Sequence, residues 1–95
     1  GITGANPVAT IVGGGVTVCS GTAVNLNTNV VGGDPAFSYS WSPATGLSAT
    51  NIANPVATLT ANETYTVTVR DANGIVDTDV TTITINPLPA APTIS

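Results

Sequence analysis

The sequence predicts an all-β chain, a sandwich of about seven short strands, on three observations. No window places apolar residues at i, i+3, i+4 and i+7, as a helix facing a core requires. Val and Thr are spread along the whole chain, and both are stiff at χ1 and suited to a pleated surface. Gly, Pro, Asn and Asp recur between the apolar runs, marking turns between short strands.

Residues 1–13 read as an N-terminal joint or first edge strand, because Asn6-Pro7 opens an extended phrase, "ANPVATIV". "VGGGV" (12–16) has neither the lysine nor the following helix of a phosphate loop, and reads as a flexible connection. "VTVC" is a strand with Val16 and Val18 on one face or Cys19 on the other, and "AVNLN" a strand with Val24 and Leu26 inward. "FSYSWS" alternates Phe37, Tyr39 and Trp41 with serines, so one of its faces is wholly aromatic. A thin core with few other large side chains needs that face inside. A loop rich in turn formers, 42–55, leads to "VATLT". The phrase "ANPVATLT" at 53–60 nearly repeats residues 5–12, yet in both places it marks Asn-Pro opening an extended segment, not two half-domains.

The clearest strand is "ETYTVTVRD", where Tyr65, Val67 and Val69 alternate with Thr64, Thr66, Thr68 and Arg70. Asn73-Gly74 then suits a two-residue type I′ hairpin. That turn sets Val80 opposite Val67 on the inner face, with Asp77 opposite Arg70 and Asp79 opposite Thr68 outside. Ile83 and Ile85 then have the wrong parity for the core, which predicts a β-bulge near Thr81-Thr82. Two residues sharpen the sandwich to an immunoglobulin-like one: Trp41 mid-chain on a central strand, and Tyr65 opening a late strand, where a tyrosine corner stands. The usual pair of cysteines is missing. The sandwich spans 14–86, and 87–95, "PLPAAPTIS", is a Pro-rich joint to a following unit.

Composition excludes several classes. Among 95 residues only 6% are charged, and Arg70 is the single cation against Asp34, Glu63, Asp71, Asp77 and Asp79, for a net charge of −4. Nucleic acid binding needs several Lys or Arg, so no nucleic-acid partner is expected. No run of about 18 apolar residues is present, so no membrane insertion is expected. With no Met and Gly at position 1, the chain reads as a piece of a longer polypeptide. Its Thr and Asn richness with no Lys leans toward a secreted surface protein.

No His is present, which removes Ser-His-Asp and Cys-His catalysis and His-containing zinc sites, and a lone Cys19 makes no thiolate metal site. Cys19 reads as a small buried hydrophobe. The chain is therefore expected to be non-enzymatic and without a cofactor. Asp71, Asp77 and Asp79 are the weak candidates for a calcium site, although Arg70 facing Asp77 would neutralise part of it, in a pair worth about 0.2–1 kcal/mol. Asp77 and Asp79, about 7 Å apart on one strand face, read as solvated charges that blunt a sheet surface rather than as a glycosidase pair. Tyr39 and Trp41 are the candidate ligand face for a sugar by stacking, against their placement in the core. The structural residues are Trp41, Tyr65, Asn73 and Gly74.

"VTVCSGTAVNL" (16–26), "FSYSWSPATGL" (37–47), "NPVATLTANETYTVTVRDANG" (54–74) and "TITINPLP" (82–89) together resemble the PKD-like, immunoglobulin-like repeats of large secreted or cell-surface proteins of the Bacteroidetes, including adhesins linked to gliding and type IX secretion. In many such repeats a Cys follows the "DANG" phrase, where Ile75 stands here, and "WSPATG" replaces the "WDFGDG" type of phrase. The resemblance implies an extracellular, cell-surface structural or adhesion module, one repeat of a tandem array that spaces or presents parts of a large protein. Its partners would be neighbouring repeats of the same polypeptide. The alternatives are a carbohydrate-binding module that targets a cell-surface or extracellular polysaccharide, and a calcium-stiffened linker.

Overall fold

The computed structural model describes residues 6–86, and every regular element among them is a strand. The joint expected over 87–95 lies outside the described residues, as does the part of the N-terminal joint over 1–5. Behind Asn6-Pro7 the chain forms β1 (Val8–Val12), crosses the glycine run to β2 (Thr17–Cys19), and turns into β3 (Ala23–Asn25) and β4 (Asn27–Val31). There follow β5 (Ser38–Ser42), β6 (Val56–Thr58), β7 (Glu63–Arg70) and β8 (Val76–Asn86). The expected strands are all present, and β4 is additional. Its phrase "NTNVV" hides a strand, because Asn is a poor strand former and Thr28 puts a hydroxyl on the inner face.

One sheet has the order β2-β8-β7-β5, while β1 pairs with β4 and β3 with β6. The Leu26 amide donates to the Pro55 carbonyl at 3.0 Å, so β3 and β4 form one line of chain interrupted at Leu26. Alternation then builds the interior. Ala9, Val24, Leu26, Ala57 and Leu59 meet Trp41, Tyr65, Val67, Val69, Ile83 and Ile85 in a single core, as in a β-sandwich. Each fully buried large apolar side chain contributes about 1.5–3 kcal/mol.

The β7–β8 hairpin differs from expectation by one residue. Its ladder runs without interruption from Glu63 facing Ile83 to Arg70 facing Val76, so Val67 faces Asp79 and Val69 faces Asp77. The loop is the three-residue form, with Gly74 at φ +82 as its left-handed residue, rather than a two-residue Asn-Gly turn. The Asp71 amide donates to the Ile75 carbonyl at 2.9 Å, the Gly74 amide to the Asp71 carbonyl at 3.0 Å, and the Asp71 carboxylate takes the amides of Asn73 and Ile75. That carboxylate selects the longer loop. In this register Asp77, Asp79, Ile83 and Ile85 share one face, so no bulge forms at Thr81-Thr82, and Val76 and Val80 are the side chains left in solvent. The expected Arg70–Asp77 pair is overturned, because the two lie on opposite faces.

Gly13 and Gly14 of the glycine run are packed, so it is not a loose connection, while Gly15 has open space beside it. A side chain at Gly13 would collide with the Asn25 carbonyl, and one at Gly14 with the Thr81 side chain. Only residues without Cβ let the chain pass so close to β3 at Gly13 and to β8 at Gly14.

Candidate functional site

Asp77 and Asp79 are the residues whose role changes most between sequence and structure. They are half-buried on the inner face of β8 and accept the amides of two β1 residues: Ala9 N donates to Asp77 Oδ2 at 2.8 Å, and Ile11 N to Asp79 Oδ2 at 2.7 Å. Amides along an antiparallel strand turn alternately to the partner and away from it. In β1 those of Ala9 and Ile11 turn away from β4, and the two carboxylates take the place of a neighbouring strand. Charge-assisted bonds of this kind are short and about twice as strong as neutral ones. The two Asp side chains are therefore neither solvated surface charges nor part of an outer ligand face.

The attachment continues along the chain. Gly15 N donates to the Thr82 carbonyl at 3.1 Å and Thr84 N to the Val16 carbonyl at 2.9 Å. Then β2 pairs in parallel with the last part of β8, with Thr17, Val18 and Cys19 facing Thr84, Ile85 and Asn86. The whole stretch from Ala9 to Cys19 is thus laced in parallel to β8, first by carboxylates, then across the glycines, then by backbone pairing. Pro7, fully buried, sits against Gly33 beside Asp71 at the end where β8 begins, whereas Asn86 closes β8 at the other end. The 11 residues of β8 separate the two ends by about 34 Å.

At the Pro7 end Asp71, 4% exposed, gathers amides. Its Oδ1 takes those of Asn73 and Ile75 at 2.9 Å each, and its Oδ2 that of Asp34 at 3.3 Å. Burial works against its charge, but the backbone donors of Ile75, Asp34, Asn73 and Gly74 outweigh burial and hold the carboxyl below the usual carboxylate range. Asp34 returns the contact, its carbonyl accepting the Ala72 amide at 2.8 Å and its carboxylate the Asn73 side-chain amide. Asn73 and Gly74 are thus structural residues of this latch between two loops.

Trp41 is 3% exposed, and its indole N–H donates to the Ile52 carbonyl at 2.8 Å. Tyr39 is half-buried against the core. Trp41 is enclosed in the core and Tyr39 packs against its edge, so the pair forms no exposed stacking platform for a sugar. Tyr65 is fully buried and its hydroxyl donates to the Thr45 carbonyl in the long loop after β5, tying that loop to β7 rather than making a local corner. Burial first, and the nearby Glu63 carboxylate second, push this hydroxyl above its usual pKa.

Cys19 is exposed at the end of β2, which corrects its reading as a buried hydrophobe. It shares the outer parity of Thr17, while Val18 packs inward. Among the described residues no three Asp, Glu or Cys side chains gather as metal ligands, and the three calcium candidates divide between the loop latch and the β1 attachment. Residue-by-residue reading also passed over Asn62, whose Oδ1 accepts the Ile85 amide at 2.7 Å, and Thr28, whose buried hydroxyl has no partner among the described residues. One signal was available: from Asp77 to Ile85 every second residue keeps one unbroken parity. The chain matches no family model and no curated protein.

Proposed function

We propose that this chain is a non-catalytic, load-bearing structural module with an immunoglobulin-like, PKD-like fold, one unit of a tandem array that spaces or presents parts of a large secreted or cell-surface protein. The strand order supports the fold: the first stretch of chain divides between two sheets, pairing with β4 as β1 and in parallel with the last strand as β2. The resemblance of its phrases to repeats of Bacteroidetes surface proteins supports the setting.

The observation that carries the mechanical reading is the lacing of Ala9–Cys19 to β8. The described chain enters beside Asp71 and leaves at Asn86, so tension between these ends slides the first strand along the last. Bonds across that junction are loaded together in shear instead of one at a time. The two packed glycines, Gly13 and Gly14, keep the two strands in step across the change of sheet.

Pulling the chain through its two ends tests this reading. The expected result is one cooperative rupture with a well-defined force, higher than when the same chain is pulled across the β7–β8 hairpin so that its ladder opens pair by pair. Equal forces in the two directions would overturn the load-bearing assignment.

A further inference from the structure

We propose that the outer face of β5, β7 and β8 around Arg70 binds the carboxylate of a uronic-acid unit in an acidic polysaccharide. A shallow groove of about 380 Å³ lies there, lined by Ser38, Tyr39, Ser40, Thr68, Arg70 and Val76. Arg70 is exposed, and its neighbours across the strands are Ser38 and Val76. The acids are committed elsewhere. Asp77 and Asp79 hold β1 from the opposite face, Asp71 holds its own loop, Asp34 takes Asn73, and Glu63 stands at the far end of β7. The only cation of a chain with net charge −4 therefore presents its guanidinium to solvent on a face without carboxylates.

The groove offers what a uronic acid carries. The planar fork of Arg70 matches a carboxylate in two parallel hydrogen bonds. Hydroxyls of Ser38, Ser40 and Thr68 meet ring hydroxyls, and Val76, 50% exposed, covers the apolar C–H face of a pyranose. The register that turns Asp77 inward is also what sets Val76 beside Arg70. Farther along β7 and β8 the same face continues as Thr78, as Thr66 with the exposed Val80 opposite it, and as Thr64 and Thr82, the last two joined hydroxyl to hydroxyl at 3.0 Å. Neutral hydroxyls around a single cation suit the ring hydroxyls of a sugar chain, which the side chains of an acidic peptide lack.

The test is an amide chemical-shift titration of the 95-residue chain with trigalacturonate, alongside maltotriose and a triglutamate peptide. Trigalacturonate is expected to move the amides of Ser38, Ser40, Thr68, Arg70 and Val76 with a millimolar dissociation constant that weakens as salt is added. Arg70→Gln is expected to weaken binding by about tenfold or more and Arg70→Lys by less, since lysine keeps the charge without the fork. Unchanged shifts elsewhere in the Arg70→Gln spectrum check that the fold is intact. No response to trigalacturonate, an equal response to maltotriose, or full binding by Arg70→Gln would overturn the site. A stronger response to triglutamate would overturn the choice of polysaccharide.

Discussion

Asp71 sets an acid limb on the stability of this chain. Its carboxyl is held below the usual range by backbone donors acting against burial, so the charged form is favoured in the fold. The resulting stabilisation is present above the unfolded value near pH 3.9 and is lost as pH falls through the lower, folded value. Asp71→Asn keeps an acceptor and removes the titration. Urea midpoints are expected to show the native chain ahead of this variant at neutral pH, with the gap closing below about pH 4; a gap independent of pH would contradict the assignment. Tyr65 gives the opposite limb. Its pKa is raised, so ionisation disfavours the fold, and stability attributable to its neutral form falls as pH rises above about 10. Tyr65→Phe is expected to cost about 0.5–1.5 kcal/mol at neutral pH through the lost bond to Thr45 and to flatten that alkaline decline, both readable from urea unfolding. Trp41 and Tyr65 were legible as core residues because a chain this small has few other large side chains. Cys19 was not, because a three-residue strand carries too little alternation to show which face is wet.

The first strand depends on side chains of the last. Asp77→Ala or Asp79→Ala leaves an amide of β1 without its acceptor, at an expected cost of about 1–3 kcal/mol each by chemical unfolding. Hydrogen exchange should locate the effect: in the double variant the amides of Ala9 and Ile11 exchange fast while those of Val67 and Val69 stay protected. Uniform loss of protection would mean that β1 is not held separately. Gly14→Ala is expected to cost about 1–3 kcal/mol by overpacking against Thr81, and a neutral change would show that the run is slack. The strands themselves could be read from alternation and turn residues, but this attachment could not. The phrase "DANG" suits both a two-residue and a three-residue hairpin, and the choice lies in an Asp71 carboxylate that bonds the amides of its own loop and of Asp34, 37 residues away. One residue of register moved Asp77 and Asp79 from the solvent face to the strand they hold.

At the scale of the whole molecule, the alternation of short strands made an all-β chain legible, while the route by which it would carry tension lies in contacts 68 residues apart. Those contacts join the first strand to the last, parallel and end to end, with the described chain entering and leaving at opposite ends of β8. Mechanical and thermodynamic strength should therefore separate. Tyr65→Phe weakens the fold away from the laced junction, whereas the Asp77→Ala, Asp79→Ala double variant weakens the junction itself. The most direct measurement is the rupture force of the chain pulled through its ends, compared between this double variant and a Tyr65→Phe chain brought to the same chemical stability with urea. A lower rupture force for the double variant is the predicted result, and equal forces at equal stability would contradict the claim that the carboxylate lacing bears the load.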